Sequence, residues 1–336
     1  MMSLRTYKSL VFFTVYLLLM LPSYIIGSSD YSIVFVHIGS NIPKYTTTAL
    51  SQARKFNQDC QIILLAEEEA INTFNAPKSS ENITYITCES LKKTKEHKYF
   101  TKKSTLNKDW RDGFWRYTSE RFLYLQDLIV MYDLKNVFHM EYDNMLYTDL
   151  SNLTSVFENQ YQGIAATFDN DDRCVPGFIF IPNATEITLL AKCFASNAHK
   201  NYNDMKMVSI FKEKYGITHI DYLPIITREY LDNYPLKSNI NHTTTTPENF
   251  HKNIELFQSV FDAAALGQYL GGIDPRNGRS VPGFVNESCL FQADKLVIEW
   301  YPDELNRNVP YIVYPNKKYR INNLHIHSKK LDKFKS

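Results

Sequence analysis

The stretch NVFHMEYDNMLYTDL, from Asn136 to Leu150, decides how the rest of the chain is read. An apolar run, Val137-Phe138, meets Glu141, Asp143 and Asn144 before Met145-Leu146 resumes. Burying a carboxylate without a partner is costly, so this pair is either exposed at a strand tip or neutralised by a cation.

Immediately upstream, FWRYTSERFLYLQDLIVMYDL (114–134) is the longest helical pattern, with Phe122, Leu125 and Ile129 at three-to-four spacing. Further back, YSIVFVHIG (31–39), CQIILLAE (60–67) and NITYITC (82–88) are apolar runs of strand length, and TTTALSQARKFN (46–57) is helical in pattern. Apolar strands separated by helix-length segments predict an α/β fold, a Rossmann-like, mostly parallel sheet with helices on both faces. The opening stretch is then about the fourth strand. Its carboxylates lie at the C-terminal edge, outside which such sheets bind their ligands.

The Lys-rich segment 89–112 reads as a solvated loop. Downstream, GIAATFD (163–169) and GFIFIPN (177–183) read as strands and 184–198 as a helix. Residues 199–260 are mixed and polar, with 241–249 a loop, and FDAAALGQYLGG (261–272) is a small-residue helix ended by Gly271-Gly272. The tetrapeptide V-P-G-F occurs at 175–178 and again at 281–284.

A chain of 336 residues, 44% hydrophobic with a net charge of +1, suits one large domain with a small extension. Near-neutral charge argues against a nucleic-acid partner, which needs a basic face to replace phosphate counterions. The extension is residues 1–28: Arg5 and Lys8 precede an apolar run to Leu21, then Pro22 and the small residues from Gly27. This is the pattern of a secretory signal, or, uncleaved, of a type II single-pass anchor, which would be the chain's sole membrane contact. Either form puts residues 29–336 in the secretory pathway lumen or outside the cell. Five sequons (Asn82, Asn152, Asn183, Asn241, Asn286) are compatible with that setting. The five cysteines show no metal spacing. Cys60 and Cys88 would sit at opposite ends of neighbouring parallel strands, too far apart to bridge, which leaves Cys174 with Cys289, or free thiols.

Four groups carry chemistry. In an extended segment Glu141 and Asp143 point to one side and can share a hard divalent cation such as Mn²⁺ or Mg²⁺. In INNLHIHSKKL (321–331), His325, His327 and Lys329 alternate with Ile326 and Ser328, so a strand projects all three to one face. Imidazoles there would complete a metal site, and Lys329 would meet phosphate. Asp262 is either a helix cap or a carboxylate base. Arg116 and Arg121 lie on the helix before the carboxylates and offer planar forks for an anion.

Taken in order, SERFLYLQDLIVMYDLKNVFHMEYDNMLYTDL, GFIFIPN, DAAALGQYLGG and LHIHSK make the chain resemble a GT-A-fold glycosyltransferase over roughly residues 31–331. That family holds a divalent ion on a nucleotide-sugar with a strand-end D-x-D, here E-Y-D. The resemblance implies a nucleotide-sugar-binding half (29–150) and a mixed acceptor half (151–331). It implies Mn²⁺ or Mg²⁺ held by Asp143, His327, Glu141 and His325, with His327 preferred of the two imidazoles. Donor contacts fall to Arg121, Glu141 and Lys329, and Asp262 acts on the acceptor hydroxyl. The function implied is sugar transfer to a glycan, protein or lipid. The same ion site would also suit a phosphoester hydrolase or nucleotidyltransferase, and the fold alone a non-catalytic lumenal binding protein.

Overall fold

A computed structural model describes residues 30–74, 82–237 and 246–336. The signal or anchor segment and the Asn241 sequon lie outside them. The main sheet has seven strands in the order β3-β2-β1-β4-β7-β6-β8. They are β1 (Ser32–Val36), β2 (Gln61–Ala66), β3 (Ile83–Thr87), β4 (Val137–Met140), β6 (Ile164–Asn170), β7 (Arg173–Ile181) and β8 (Ile220–Tyr222). The first four are parallel neighbours, β6 is parallel to β8, and β7 alone runs against its neighbours β4 and β6. Every residue of β1 and β4 is buried, as apolar strands require when helices cover both faces. The fold is therefore α/β with a mostly parallel sheet. Its two expected halves share that sheet, since β4 of the first pairs with β7 of the second.

The principal helices are α1 (Thr46–Phe56), α2 (Glu68–Thr73), α3 (Lys95–Lys103), α4 (Phe114–Tyr132), α5 (Ser151–Gln160), α6 (Ala184–Asn197), α7 (Asp204–Tyr215) and α8 (Ala265–Gly271). Among the described residues no helix is long and apolar enough to cross a membrane. All five cysteines are buried free thiols, so Cys174 and Cys289 are not joined.

Helix α3 corrects the loop expected over 89–112. Thr94 caps it by accepting from the His97 N–H, Glu96 sits in the first turn, and Lys102 and Lys103 in the last. The lysines that made the segment look solvated lie outside, while Glu96, His97 and Phe100 are buried. His97 is gripped from α4 at both nitrogens, Nδ1 by Asp127 Oδ2 at 2.5 Å and Nε2 by Glu120 Oε1 at 3.1 Å. Burial alone would lower the His97 pKa, but the hydrogen bonds to Asp127 and Glu120 outweigh it and hold the value above normal. The ion pairs' contribution is thus complete below the free-histidine value of about 6.5 and is lost as pH rises through the folded value. His97→Gln is expected to cost about 3 kcal/mol near pH 6, with the difference shrinking toward pH ~9 in urea unfolding. A pH-independent difference would show that the pairs are not formed.

In the C-terminal half, β9 (Ser259–Val260), β10 (Ile298–Pro302), β11 (Asn308–Tyr314) and β12 (Lys317–Ile321) form a second sheet, ordered β10-β11-β12-β9. It was not legible in the sequence. An aromatic cluster fixes β9 to the main body: Phe138 of β4 packs on Phe157 of α5 at 4.9 Å between ring centroids. Phe157 in turn meets Phe257 at 5.1 Å, and Phe261 meets Phe178 of β7 at 5.1 Å. Each buried Phe contributes about 1.5–3 kcal/mol, so the chain at Phe261, and with it Asp262, is firmly placed. From β12 the chain runs into β13 (Asn323–His325), which pairs antiparallel with β5 (Asn144–Leu146) and brings His325 to the carboxylates.

Candidate metal and donor site

Glu141 follows β4 directly, at the carboxyl edge of the sheet. The two carboxylates do not converge by lying on an extended strand, as the i, i+2 argument expected. Residues 141–144 form a tight turn in which the Asn144 N–H donates to Glu141 O at 2.9 Å. The turn is anchored on β7, where Gly177 O accepts from the Glu141 N–H at 2.9 Å and from Asn144 Nδ2 at 2.8 Å. The Tyr142 ring lies 5.5 Å from that of His37 and 5.9 Å from that of Tyr45.

The β13–β5 pairing sets His325 opposite Asn144. His325 Nε2 then lies 2.9 Å from Glu141 Oε2 and 3.2 Å from Asp143 Oδ1. One ligand atom from each of Glu141, Asp143 and His325 falls within 4.8 Å of the others, the reach of a single ion. Two carboxylate oxygens with one imidazole nitrogen form a hard, oxygen-rich donor set of the kind that suits Mn²⁺ or Mg²⁺. The site already carries a cation's worth of compensation. Lys329 Nζ pairs with Asp143 and Arg121 Nη1 with Glu141. Burial would raise both carboxyls, but Lys329 and His325 hold Asp143 well below the usual range, and Arg121 and His325 do the same for Glu141. Burial would likewise lower His325, yet Asp143 and Glu141 push it up to about 10. The result is a nest of buried carboxylates, held ionised and facing an imidazole.

His327, the imidazole the sequence favoured, does not join them. Strand β13 ends at His325, and the His327 N–H folds back onto His325 O at 3.1 Å, so the expected alternation to one face stops there. His327 Nδ1 instead meets Gln268 Nε2 at 2.7 Å, with its ring against that of His325. Burial, with the charges of His325 and Lys329, drives its pKa down to about 3. Lys329 nonetheless returns to Asp143 because the chain turns through a left-handed conformation there, φ 61°.

Of the two roles open to Asp262, the structure shows the cap and not the base. Helix α8 starts only at Ala265, and both Asp262 oxygens are consumed by backbone donors. Oδ1 accepts from the Leu266 N–H at 2.9 Å, and Oδ2 from the Gly267 and His325 N–H groups at 2.8 and 2.9 Å. With both oxygens engaged by backbone donors, the carboxylate ties the start of α8 to β13 and positions His325, although burial raises its pKa. Asp262→Asn replaces an acceptor oxygen with a donor facing those N–H groups. It is expected to weaken Mn²⁺ binding about 10- to 100-fold, read by electron paramagnetic resonance titration. Affinity unchanged within twofold would remove Asp262 from the support of the site.

Two glycines admit His325. A Cβ on Gly177 would come within 2.5 Å of His325 Nδ1, and one on Gly267 within 2.1 Å of His325 O. Gly177 belongs to the first V-P-G-F, whose role the repeat itself did not reveal. Arg116, the other candidate fork, is spent on Glu120 at 2.9 Å. Arg121 reaches the site and also Asp204 Oδ2 at 2.9 Å. Asp204, at the start of α7, was missed because nothing marks it in the polar 199–260 region. Its Oδ1 is buried without a hydrogen-bond partner, and burial raises its pKa against the pull of Arg121.

No protein-family model matches the chain, and no curated protein does. Among solved structures it is similar to mouse xyloside xylosyltransferase 1 in its apo form, with a TM-score of 0.44 and 10% identity over 61% of this chain and 90% of that one. It is also similar to the galactosyltransferase LgtC in complex with donor and acceptor sugar analogs, with a TM-score of 0.39 and 14% identity over 57% of this chain and 73% of that one. A third, the PaToxG glycosyltransferase, gives 0.40 and 11% over 55% and 68%. At these identities and scores the functional reading rests on the geometry of the site.

Proposed function

We propose that the chain is a GT-A-type glycosyltransferase that moves a sugar from a nucleoside-diphosphate sugar to a hydroxyl acceptor. The observation that carries this reading is the convergence of Glu141, Asp143 and His325 at the carboxyl end of β4, with Lys329 resting on Asp143. A divalent ion bound there would screen the diphosphate and stabilise it as a leaving group. Lys329, released from Asp143, would add a second positive contact as charge builds on the phosphate oxygen. In the transfer the bond from the anomeric carbon to that oxygen breaks with its electron pair going to the diphosphate. The acceptor oxygen bonds to the carbon, and its proton passes to the departing diphosphate. Arg121 stays fixed between Glu141 and Asp204 and holds both carboxylates in register. His37 at the end of β1, Tyr45 at the start of α1 and Tyr142 in the turn after β4 present an aromatic wall suited to a base. Burial lowers the His37 pKa to about 4 against a backbone hydrogen bond at Gly39, so the ring meets its ligand uncharged. We place the reaction in the secretory lumen on the strength of residues 1–28 alone.

The test is a panel of nucleotide-sugars with Mn²⁺ or Mg²⁺. The expected result is a rise in melting temperature with nucleoside diphosphate that requires the ion, and cleavage of at least one donor. Nucleotide release that never labels an acceptor would favour hydrolysis. No ion-dependent shift with any nucleotide would end the reading.

A further inference from the structure

The segment before α4, NKDWRDGFW (107–115), contains an aromatic group that the ion site does not use. Trp110 is 41% exposed, and Phe114 and Trp115 are half-buried. The two indoles are parallel to within 5°, with ring centroids 5.9 Å apart. In an offset stack that wide, much of each ring face is not covered by the other. Phe114 stands edge-on to Trp115 at 4.8 Å. The Arg111 guanidinium lies over Trp110, 4.7 Å from the ring centroid, and donates to Asn277 Oδ1 at 2.7 Å and Arg276 O at 3.2 Å. Arg276, paired with Asp274, lies over Phe114 at 5.6 Å.

Three placements tie this group to the candidate site. Helix α4 leads into parallel strand β4, so its first turn, with Phe114 and Trp115, lies on the strands' carboxyl edge. From Phe114 to Arg121 is seven helical residues, ~10 Å along the axis, the span of about two sugar rings. The 274–276 corner also faces the site, where Arg276 acts electrostatically on Tyr45 and Tyr142, and Lys329 on Asp274.

We propose that Trp110 and Trp115, with Arg111 and Asn277, form the platform that binds the acceptor, and that the acceptor is an oligosaccharide. One face of a pyranose ring presents polarised C–H groups that complement the electron-rich indole face, while its rim presents hydroxyls. Arg111 and Asn277 supply donors and acceptors for those hydroxyls at the edge of the aromatic surface, the usual division of labour in a specific small-ligand site. The platform rests on the glycosyl-transfer reading for its role as an acceptor site, but sugar binding at Trp110 can be measured without it.

The full chain is titrated with lactose, maltotriose, xylotriose and chitotriose, following indole emission and saturation-transfer NMR, with UDP–Mn²⁺ affinity measured in parallel. At least one saccharide is expected to shift the emission, and Trp110→Ala to weaken its binding about tenfold while UDP–Mn²⁺ affinity stays within twofold. Trp110→Phe, which keeps an aromatic face, is expected to recover part of the binding and guards against loss of fold. If nucleotide binds and donors are cleaved but none of the four saccharides binds, or Trp110→Ala binds them as wild type does, the platform is overturned and the glycosyl-transfer reading survives. If saccharides bind through Trp110 but no nucleotide does, the platform stands as a glycan site and the transfer reading falls.

Discussion

Asp143→Asn is expected to reduce sugar transfer about a thousandfold or more and to abolish the stabilisation by Mn²⁺, with the fold retained. The substitution keeps shape but removes the charge around which the site is arranged. Asp143 is buried, lies 3.2 Å from His325 Nε2 and pairs with Lys329, so two cationic groups converge on it. An amide can neither share an ion with Glu141 at comparable strength nor hold Lys329. Its loss should be felt in binding of the ion as well as in turnover, which Mn²⁺ titration and donor turnover measure separately. Because the Asp143 pKa is depressed, its stabilising contribution in the ion-free protein is present above the free-aspartate value of about 4 and is lost as pH falls below it. Activity within tenfold of wild type would show that Asp143 is not a ligand.

Gly267→Ala is expected to be the more damaging change to the fold, at about 3 kcal/mol in urea unfolding. The new methyl would fall 2.1 Å from His325 O and 2.6 Å from its carbonyl carbon, with Asp262 Oδ2 at 3.0 Å. Those first two atoms are backbone and cannot swing aside, so α8 and β13 must separate. Separation strains the bonds from Asp262 to both elements. Gly177→Ala instead strikes the imidazole ring of His325 and the amide of Asn144, both side-chain groups. It should spoil ion binding with the smaller loss of stability. A Gly267→Ala protein as stable as wild type would mean that helix and strand are not held this closely.

Much of the N-terminal half was legible because its strands are buried on both faces and therefore read as unbroken apolar runs. Helix α3 was not, because composition reports the solvated lysines and not the buried turn of Glu96, His97 and Phe100 beneath them. The second sheet escaped for a related reason. Its strands β10 and β12 are only partly buried, and Lys317, Lys318 and Arg320 interrupt the pattern. At the site, residue types gave Glu141, Asp143, Arg121 and Lys329, but not which imidazole joins them. His325 and His327 have the same parity, and the choice falls to the place where β13 stops pairing with β5. Asp204 and Asp262 show the converse. One reaches the site through Arg121 with no motif to announce it, and the other has the motif's position but spends its oxygens on backbone N–H groups.

The pairing of β13 with β5 also dictates when the site can exist. Lys329 and Asp143 are separated by 186 residues, and β13, which carries His325 back to β5, follows α8 and the second sheet along the chain. Contacts of such long range are costly to close and form late. A chain emerging from the ribosome therefore carries its carboxylates well before the imidazole and lysine that complete them. Until those arrive it holds an acidic turn with little hold on a nucleotide. The candidate site is thereby a product of the completed chain, assembled from residues of both halves.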